Sequence, residues 1–357
     1  MRPTIPSEIL ALGHARSAAR RSRNFREADR LRGQIEAAGY KVVDRGGDFM
    51  LMPAHPADVV EADGRVRIGW SGAVPLRLDA PAAYAVSLVI VADGGPEPLR
   101  RTLSGLRDHA PAGTQVVIVA PPDPELDAAL TAEDLLAPVT GAEPVVVHTA
   151  VHLRPAAARN AGTRRAEGAV IAWLASGAWI SGDVVTPIVA ALQDTDVAVT
   201  GAVGLSATDI RHLSPVPAGD VDAIDRTLLA FRREELDALG TLDERFFGDE
   251  QLDRWWSLTL RDGPDLPEEE GPAAQAATDD ETEADADDGD PGEEPEPYVA
   301  RRAVSLDLPI DPSTAIHPEA APAHETETAR RRKRDLYRLI DRFTGRPDLL
   351  RPPAPSR

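Results

Sequence analysis

The sequence predicts an α/β protein in which buried parallel strands alternate with helices, preceded by a small helical module. Near-continuous apolar runs at residues 86–91 and 116–119 are typical of parallel strands covered on both faces. Each run is followed by apolar residues at helical spacing, and this alternation indicates an α/β sheet. A separate basic helical pattern in residues 6–39 predicts the module.

The composition limits the classes of function. The 357 residues carry a net charge of −20, but 15 acids and no Lys or Arg lie within residues 265–297, so the rest is only mildly acidic. Nucleic-acid binding therefore stays open on charge alone. The absence of Cys excludes disulfides, thiolate zinc sites and cysteine nucleophiles. No apolar run approaches the roughly 18 residues of a spanning helix, so we expect a soluble cytoplasmic protein without a transmembrane segment.

The first 52 residues predict two helices and a β-hairpin. Ile9, Leu10 and Leu12 open the first helix, and Asn24 is a plausible cap for the second. Gly39 is well placed to end the second helix. Short strands at residues 40–43 and 49–51 then flank a turn.

Residues 20–32 and 37–44 resemble the carboxy-terminal tail of cysteinyl-tRNA synthetases. The shared pattern is a basic helix, a Phe, an Ala-Asp pair, an Arg and a Gly before a short strand. The ATP-handling signatures and zinc-ligand cysteines of that enzyme are missing, which excludes cysteine activation. Two interpretations remain, a docking module and an RNA-contacting module that uses a set of arginines: Arg16, Arg20, Arg21, Arg23, Arg26, Arg30 and Arg32.

Residues 53–83 predict a Pro-containing linker with one short hairpin. Strands are then expected at residues 86–91, 116–119, 145–148 and 170–174, with helices between them. In such a sheet, ligands bind outside the carboxyl ends of the strands. After the acidic insertion, residues 298–310 resume the sheet, and residues 330–343 predict a basic amphipathic helix that packs on the domain.

Three ordered segments resemble the family 2 glycosyltransferases of the GT-A type. Residues 86–106 match the first strand, donor-binding loop and first helix of that family. Residues 156–174 follow its Arg-Asn-x-Gly stretch, and residues 231–247 are similar to its acceptor-side segment. The resemblance implies a GT-A-like, Rossmann-type sheet, a nucleotide-sugar donor and a carbohydrate acceptor.

The resemblance also implies roles for five residues. Asp93, Arg159 and Asn160 are expected at the donor, where an Arg could supply positive charge beside the diphosphate. Asp249 and Glu250 are the candidates for the general base on the acceptor hydroxyl, although the strict alignment puts Gln251 there.

Two acidic motifs of the family are absent. Ala120 stands where the family has an aspartate that contacts the nucleoside, and Ala175-Ser176-Gly177 replaces its metal-binding D-x-D. Family members use a divalent metal at that motif, whereas this chain lacks its ligands, so we expect no metal cofactor. His317 matches a family His that joins the metal, but a surface position is the favoured interpretation.

The predicted organisation is a module at residues 1–52, a linker at 53–83 and a GT-A-like domain at 84–345. A disordered acidic insertion at 265–297 interrupts that domain, and a tail follows at 346–357. Three functions remain open: a glycosyltransferase with impaired catalysis, a non-catalytic binding or scaffold protein with a protein partner, and an RNA-associated protein.

Overall fold

The computed structural model describes residues 5–45, 48–131, 135–263, 300–314 and 325–350. The acidic insertion and His317 lie outside these ranges, as do residues 351–357.

The helices in the described ranges are α1 (Ser7–Arg21), α2 (Phe25–Ala37), α3 (Pro96–His109), α4 (Pro124–Thr131), α5 (Pro155–Thr163), α6 (Val185–Ala191), α7 (Glu235–Leu239), α8 (Asp249–Asp262) and α9 (Glu325–Phe343). The strands are β1 (Tyr40–Arg45), β2 (Asp48–Pro53), β3 (Val59–Val60), β4 (Val66–Arg67), β5 (Tyr84–Val91), β6 (Thr114–Ala120), β7 (Val145–His148), β8 (Gly168–Leu174), β9 (Trp179–Ile180), β10 (Val197–Gly201), β11 (Gly204–Asp209), β12 (His212–Val216), β13 (Gly219–Val221), β14 (Ala223–Ile224), β15 (Leu228–Arg232), β16 (Arg302–Ser305) and β17 (Ile310–Asp311).

The amino-terminal module has a core of its own. The helices α1 and α2 pack on the hairpin β1–β2 through Ile9, Ile35 and Leu51, which are all buried. The side chain of Asn24 accepts a hydrogen bond from the backbone N–H of Glu27 and caps α2, as the sequence predicts. The two helices and the hairpin are confirmed as elements, and their buried residues form a cluster distinct from those of the large sheet.

The large sheet has eight strands in the order β13-β16-β10-β15-β8-β5-β6-β7. The pairs β6–β7, β5–β6, β5–β8 and β10–β16 are parallel, whereas β15 runs antiparallel to β8 and β10, and β13 runs antiparallel to β16. This mixed α/β sheet, parallel in most of its pairs, confirms the predicted fold class.

The two faces of the sheet carry different helices. Successive side chains of a strand point to opposite faces, and accordingly Leu88 and Ile90 pack with α3, α4 and α6, whereas Val89 packs with α5 and α8. Burial on both faces explains why β5 and β6 have continuous apolar sequences rather than alternating ones.

The strand order places a crevice between β5 and β8. The chain adds β6 and β7 on one side of β5, and then crosses over through α5 to add β8 on the other. The carboxyl ends of β5 and β8 therefore lie next to each other where the order reverses, which is the position of ligand sites in open α/β sheets.

An aromatic cluster fills the space under α8. Trp173 of β8, Phe231 of β15 and Trp256 of α8 lie with ring centroids 4.9 to 5.9 Å apart. The apolar side of α9 packs on the outer side of α8 through Leu339 and Phe343. The helix α8 is thus held between the sheet and α9.

Within the described ranges, every helix is too short or too polar to cross a lipid bilayer.

Substitution of Gly162 tests the close approach of α5 to the sheet. A Cβ at Gly162 would overlap the methyl groups of Val89 and Val119, whereas Gly33 of α2 is exposed and has open space around it. We expect Gly162→Ala to lower the free energy of unfolding by about 1–3 kcal/mol because it overpacks the core.

The matched control is Gly33→Ala in the exposed helix of the amino-terminal module, which should leave the Trp-detected transition of the α/β part unchanged. All five Trp residues follow residue 69, so Trp fluorescence during chemical unfolding reports on the α/β part of the chain. If Gly162→Ala has the same free energy of unfolding as the unmodified chain, the close packing of α5 on the sheet is contradicted.

Candidate functional site

The candidate site lies at the carboxyl ends of β5, β6, β7 and β8. Asp93 follows β5, and the turn of residues 175–178 follows β8. The backbone N–H of Ala175 donates to the carbonyl of Thr227. Because β8 and β15 are antiparallel, the turn that follows Ala175 lies beside Arg226, the residue before Thr227. Two helices complete the site: α5 contributes Arg159, and the amino-terminal end of α8 contributes Asp249.

The space at this edge of the sheet is small. A cavity of about 20 Å³ is lined by Val91, Asp93, Val119, Pro121, Thr149, His152, Leu153 and Ala158. A cavity needs roughly 10–15 Å³ to hold one water molecule. The cavity therefore has room for water and is far smaller than a nucleoside.

The guanidinium of Arg159 is the centre of the site. Its Nη2 lies 3.0 Å from Oδ1 of Asp249, and its Nη1 donates to Oδ1 of Asp253. Its Cζ lies 5.3 Å from the centroid of the Trp173 ring. The side chains of Arg159, Asp249 and Asp253 are 9%, 10% and 2% exposed, so this network is buried.

The helical period explains which carboxylates join the network. Asp249 and Asp253 are four residues apart on α8 and so lie on the same face, toward α5. Glu250 is one position further round, 61% exposed, and pairs with Arg254 at 2.9 Å. The structure thus brings Asp93, Arg159 and Asp249 together, and it leaves Glu250 on the outer side of α8.

Burial sets the charge of two of these carboxyl groups. Removal from water raises the pKa of Asp93 to about 6, and the negative charge of Asp249 adds to the rise while Arg159 opposes it. Burial likewise raises the pKa of Asp253 to about 7, against the lowering effect of Arg159. The pKa values of Asp93 and Asp253 are therefore close to neutral pH.

Asn160 holds a loop together. Its side-chain NH₂ donates to the carbonyl of Leu242 and to Oε1 of Glu244, both at 3.0 Å, and its Oδ1 accepts the N–H of Leu242. The amide is buried in these contacts. The structure therefore places Asn160 beside the site, where it positions the loop that leads into α8, and its predicted role at the donor stays a prediction.

The loop before α8 is also held from the other side, by α9. The buried carboxylate of Asp335 accepts the backbone N–H groups of Phe247 and Gly248 at 2.9 and 3.0 Å. The guanidinium groups of Arg154 and Arg331 lie over the Phe247 ring at 4.3 and 5.3 Å. Asp335 therefore fixes the two residues that lead into α8, whose N-cap residue Gly248 has no side chain to cap the helix.

Sequence reasoning did not single out Asp253, Arg226 or Asp335. The i, i+4 spacing of Asp253 from Asp249 is a visible signal for the first once residues 249–262 are known to be helical. An Asp that follows five consecutive basic residues, at Asp335, is a weaker one. Arg226, whose Nη1 lies 3.7 Å from Oδ2 of Asp249, follows β14 and has no sequence signal.

The residues at this site do not fit the divalent metal that the family resemblance implies. Residues 175–177 supply no carboxylate, and the carboxylates that are near, Asp249 and Asp253, contact a guanidinium instead. In the part of the chain that the structure describes, no three His, Asp or Glu residues are grouped so that they could hold a metal ion. Hard divalent cations need several such oxygen ligands at once.

Comparison with known proteins gives one short sequence match. No model of a known protein family matches the chain. A stretch of 50 residues is 42% identical to the cysteine–tRNA ligase of Opitutus terrae, and it covers 14% of this chain and 11% of the ligase. This chain therefore spans only a small part of the length of that curated relative.

Similar solved structures include a mannosyltransferase, GalNAc-T7 and TarS. The mannosyltransferase PcManGT from Pyrobaculum calidifontis is 16% identical, with 76% of this chain and 67% of that chain covered and a TM-score of 0.42. GalNAc-T7 is 18% identical over 50% of this chain and 40% of its own, with a TM-score of 0.42. TarS of S. aureus is 15% identical over 49% and 33%, with a TM-score of 0.38.

Substitution of Asp93 tests the electrostatics of the site. Its folded pKa of about 6 is higher than the ordinary value, so the native state binds more protons than the unfolded chain between about pH 4 and 6. This group therefore favours the native state at low pH, and that contribution is lost as the pH rises through about 6. At 1.36 kcal/mol per pKa unit, the full loss is about 3 kcal/mol.

We expect Asp93→Asn to remove this loss. The free energy of unfolding of the variant, relative to that of the unmodified chain, should increase by up to about 3 kcal/mol between pH 4 and pH 8. Urea unfolding followed by Trp fluorescence at several pH values measures it. Parallel stability curves for the two proteins would show that Asp93 is not the raised group.

Proposed function

We propose that the α/β domain is a glycosyltransferase-like scaffold domain that does not transfer sugar. The resemblance of residues 86–106, 156–174 and 231–247 supports a glycosyltransferase ancestry. The observation that carries the proposal is the engagement of the base candidate, Asp249, by the buried guanidinium of Arg159.

Asp249 lacks the access that a general base needs. A base must lie within hydrogen-bond reach of the hydroxyl that it deprotonates. One oxygen of Asp249 faces Arg159 at 3.0 Å, the other faces Arg226 at 3.7 Å, and the side chain is 10% exposed. An acceptor hydroxyl would have to displace a guanidinium to reach it.

Glu250 has access but no surroundings for catalysis. It is 61% exposed and pairs with Arg254 of its own helix. Catalytic carboxylates act on a substrate that is held in position and shielded from water. Glu250 stands on the outer side of α8, away from the cavity beside Asp93.

The basic side chains of the site face carboxylates and are not aimed at a leaving diphosphate. Stabilising a developing diphosphate needs metal ions or basic side chains aimed at it. Arg159 is buried against two carboxylates, and Arg226 faces Asp249. With Asp93, Asp249 and Asp253 around two arginines, the cluster has more acids than bases.

A nucleotide-sugar panel tests this proposal. We expect neither UDP nor GDP release from UDP-GlcNAc, UDP-GalNAc or GDP-mannose, with or without Mn²⁺, because Asp249 is not accessible and Glu250 lies outside the site. GDP-mannose with Mn²⁺, and UDP with GalNAc and Mn²⁺, are the ligands present in the similar solved structures, which makes these donors the first choice. Calorimetry with UDP and GDP should detect no binding tighter than millimolar.

Two matched variants on adjacent positions of α8 decide the outcome. Nucleotide release that Asp249→Asn abolishes, and Glu250→Gln leaves intact, would establish a transferase with Asp249 as its base. The reverse pattern would assign the base to Glu250. Either result would overturn the non-catalytic proposal.

A second candidate function rests on the turn between α1 and α2. Residues 20–26 are all exposed and contain four arginines, no acid and Phe25, which is 59% exposed. Arg20 forms an ion pair with Asp44, whereas Arg21, Arg23 and Arg26 form none with the residues that the structure describes. Exposed arginines beside an aromatic ring can contact phosphates and stack on a base, and we propose single-stranded RNA as the partner.

Fluorescence anisotropy with a labelled single-stranded RNA tests this surface. The triple variant Arg21→Ala, Arg23→Ala, Arg26→Ala should bind at least about tenfold more weakly, and binding of the unmodified chain should fall steeply with salt. The control is Arg30→Ala with Arg32→Ala, because those guanidiniums pair with Glu27 and Glu36. Equal affinities for the two variants would exclude the turn as the RNA surface.

A further inference from the structure

The outer side of α9 carries a stripe of basic residues that ends in an aromatic ring. Arg330, Lys333 and Arg334 are exposed, and Tyr337 is 50% exposed. Spacings of three and four residues place these four side chains on one face of the helix, and we call them the α9 stripe. The stripe presents three cations and one ring to solvent along about 10 Å of the helix axis.

The other basic residues of α9 differ from the stripe because they have structural contacts. Arg331 lies over the Phe247 ring, and Nη2 of Arg342 lies 3.3 Å from Oδ2 of Asp262. The three cations of the stripe form no ion pair with the residues that the structure describes. The inner cations of α9 therefore hold the helix on the domain, whereas the outer ones are available to a partner.

The charge of the stripe is not neutralised by the acid beside it. Asp335 is the one acid between residues 330 and 338, and its side chain is 1% exposed and faces inward to the backbone of Phe247 and Gly248. The next acid on the outer side, Asp341, follows Tyr337. Like charges three and four residues apart on a helix repel one another, so a bound anion would relieve this repulsion.

The contacts of α9 distinguish between anionic partners. An amphipathic helix binds a membrane by burying its apolar side in lipid, but Leu339 and Phe343 of α9 are already buried against α8. A single-stranded nucleic acid uses both parts of the stripe, because its phosphates attract cations and its bases stack on aromatic rings. Nζ of Lys333 lies 5.7 Å from the centroid of the Tyr337 ring, so a cation and a stacking surface are adjacent.

We propose that the α9 stripe is a binding surface for single-stranded nucleic acid. The phosphates of the strand contact the three cations, and one base stacks on Tyr337. Since the whole chain carries a net charge of −20, the attraction for a polyanion has to come from such local clusters. The inference goes beyond the RNA contact proposed for residues 20–26 and does not depend on it, because the stripe lies on a different helix.

Fluorescence anisotropy of the full-length chain with a labelled oligouridylate tests the cations. The triple variant Arg330→Ala, Lys333→Ala, Arg334→Ala should bind at least about tenfold more weakly than the unmodified chain. The slope of log affinity against log salt should become shallower by about 2, since each phosphate contact to a single strand contributes about 0.7.

The control variant removes the same amount of charge elsewhere. It combines Arg30→Ala, Arg245→Ala and Arg302→Ala, three exposed arginines that each have a carboxylate partner. Its affinity and its salt slope should match those of the unmodified chain. The melting temperatures of all variants are compared, and Arg330→Gln with Arg334→Gln, close in length to the native side chains, is measured in parallel.

Substitutions of Tyr337 test the stacking separately from the charge. Tyr337→Phe keeps a ring and should keep the affinity, whereas Tyr337→Ala should bind about fivefold more weakly or worse. An oligouridylate that contains 5-iodouridine should form a photo-crosslink to Tyr337, identified by mass spectrometry. Equal affinities of Tyr337→Ala and Tyr337→Phe, without a crosslink at Tyr337, would refute the stacking.

The comparison with the turn of residues 20–26 keeps the two proposals distinguishable. Weaker binding of the α9 triple variant supports this inference whatever the turn variant does. If the triple variant of Arg21, Arg23 and Arg26 alone weakens binding, the α9 inference is overturned and the proposal for the turn stands. Equal affinities of the α9 triple variant and its charge-matched control would overturn it as well.

Other anionic occupants of the stripe give different results. Phosphatidylserine vesicles that bind the unmodified chain but not the α9 triple variant, with RNA affinity equal for the two, would assign the stripe to a membrane. A synthetic peptide with the sequence of residues 265–297, tested in the same way, would assign it to an acidic protein segment. Either result would overturn the proposal.

Discussion

The ion-pair network of Arg159 joins the two helices that form the candidate site. Arg159 extends from α5, the crossover between β7 and β8, and it contacts two carboxylates of α8. Losing one partner of such a buried network typically costs about 3–5 kcal/mol, because a charge is left without compensation. The position of α8 against the sheet, and with it the placement of Asp249, depends on this contact.

Supports from three directions hold the loop that leads into α8. The amide of Asn160 pairs with Leu242, and the carboxylate of Asp335 accepts the N–H groups of Phe247 and Gly248. Arg154 and Arg331 cover the ring of Phe247. The basic helix α9 thus has a structural role on its inner side, because Asp335 fixes the two residues that lead into α8.

The amino-terminal module and the α/β domain use arginine in opposite ways. In the domain, Arg159 is buried and its positive charge is neutralised by the carboxylates of Asp249 and Asp253. In the module, the arginines of residues 20–26 lie on an exposed turn beside Phe25. Exposed charge can be offered to a partner, whereas a buried and paired charge positions the chain. This contrast places the two candidate activities on different parts of the molecule.

The sequence by itself determined the fold class and several of the elements, because continuous apolar runs and helical spacing are local signals of burial. The runs at 86–91 and 116–119 became β5 and β6, and the absence of acids at 175–177 can be read directly from the sequence. Only the tertiary structure decided which candidates share a site. Asp249 and Glu250 are neighbours in sequence, but the period of α8 turns one toward Arg159 and the other toward solvent. The partners of Asp249 come from α5 and from the turn at Arg226, and contacts between residues so distant in the chain leave no local pattern to read.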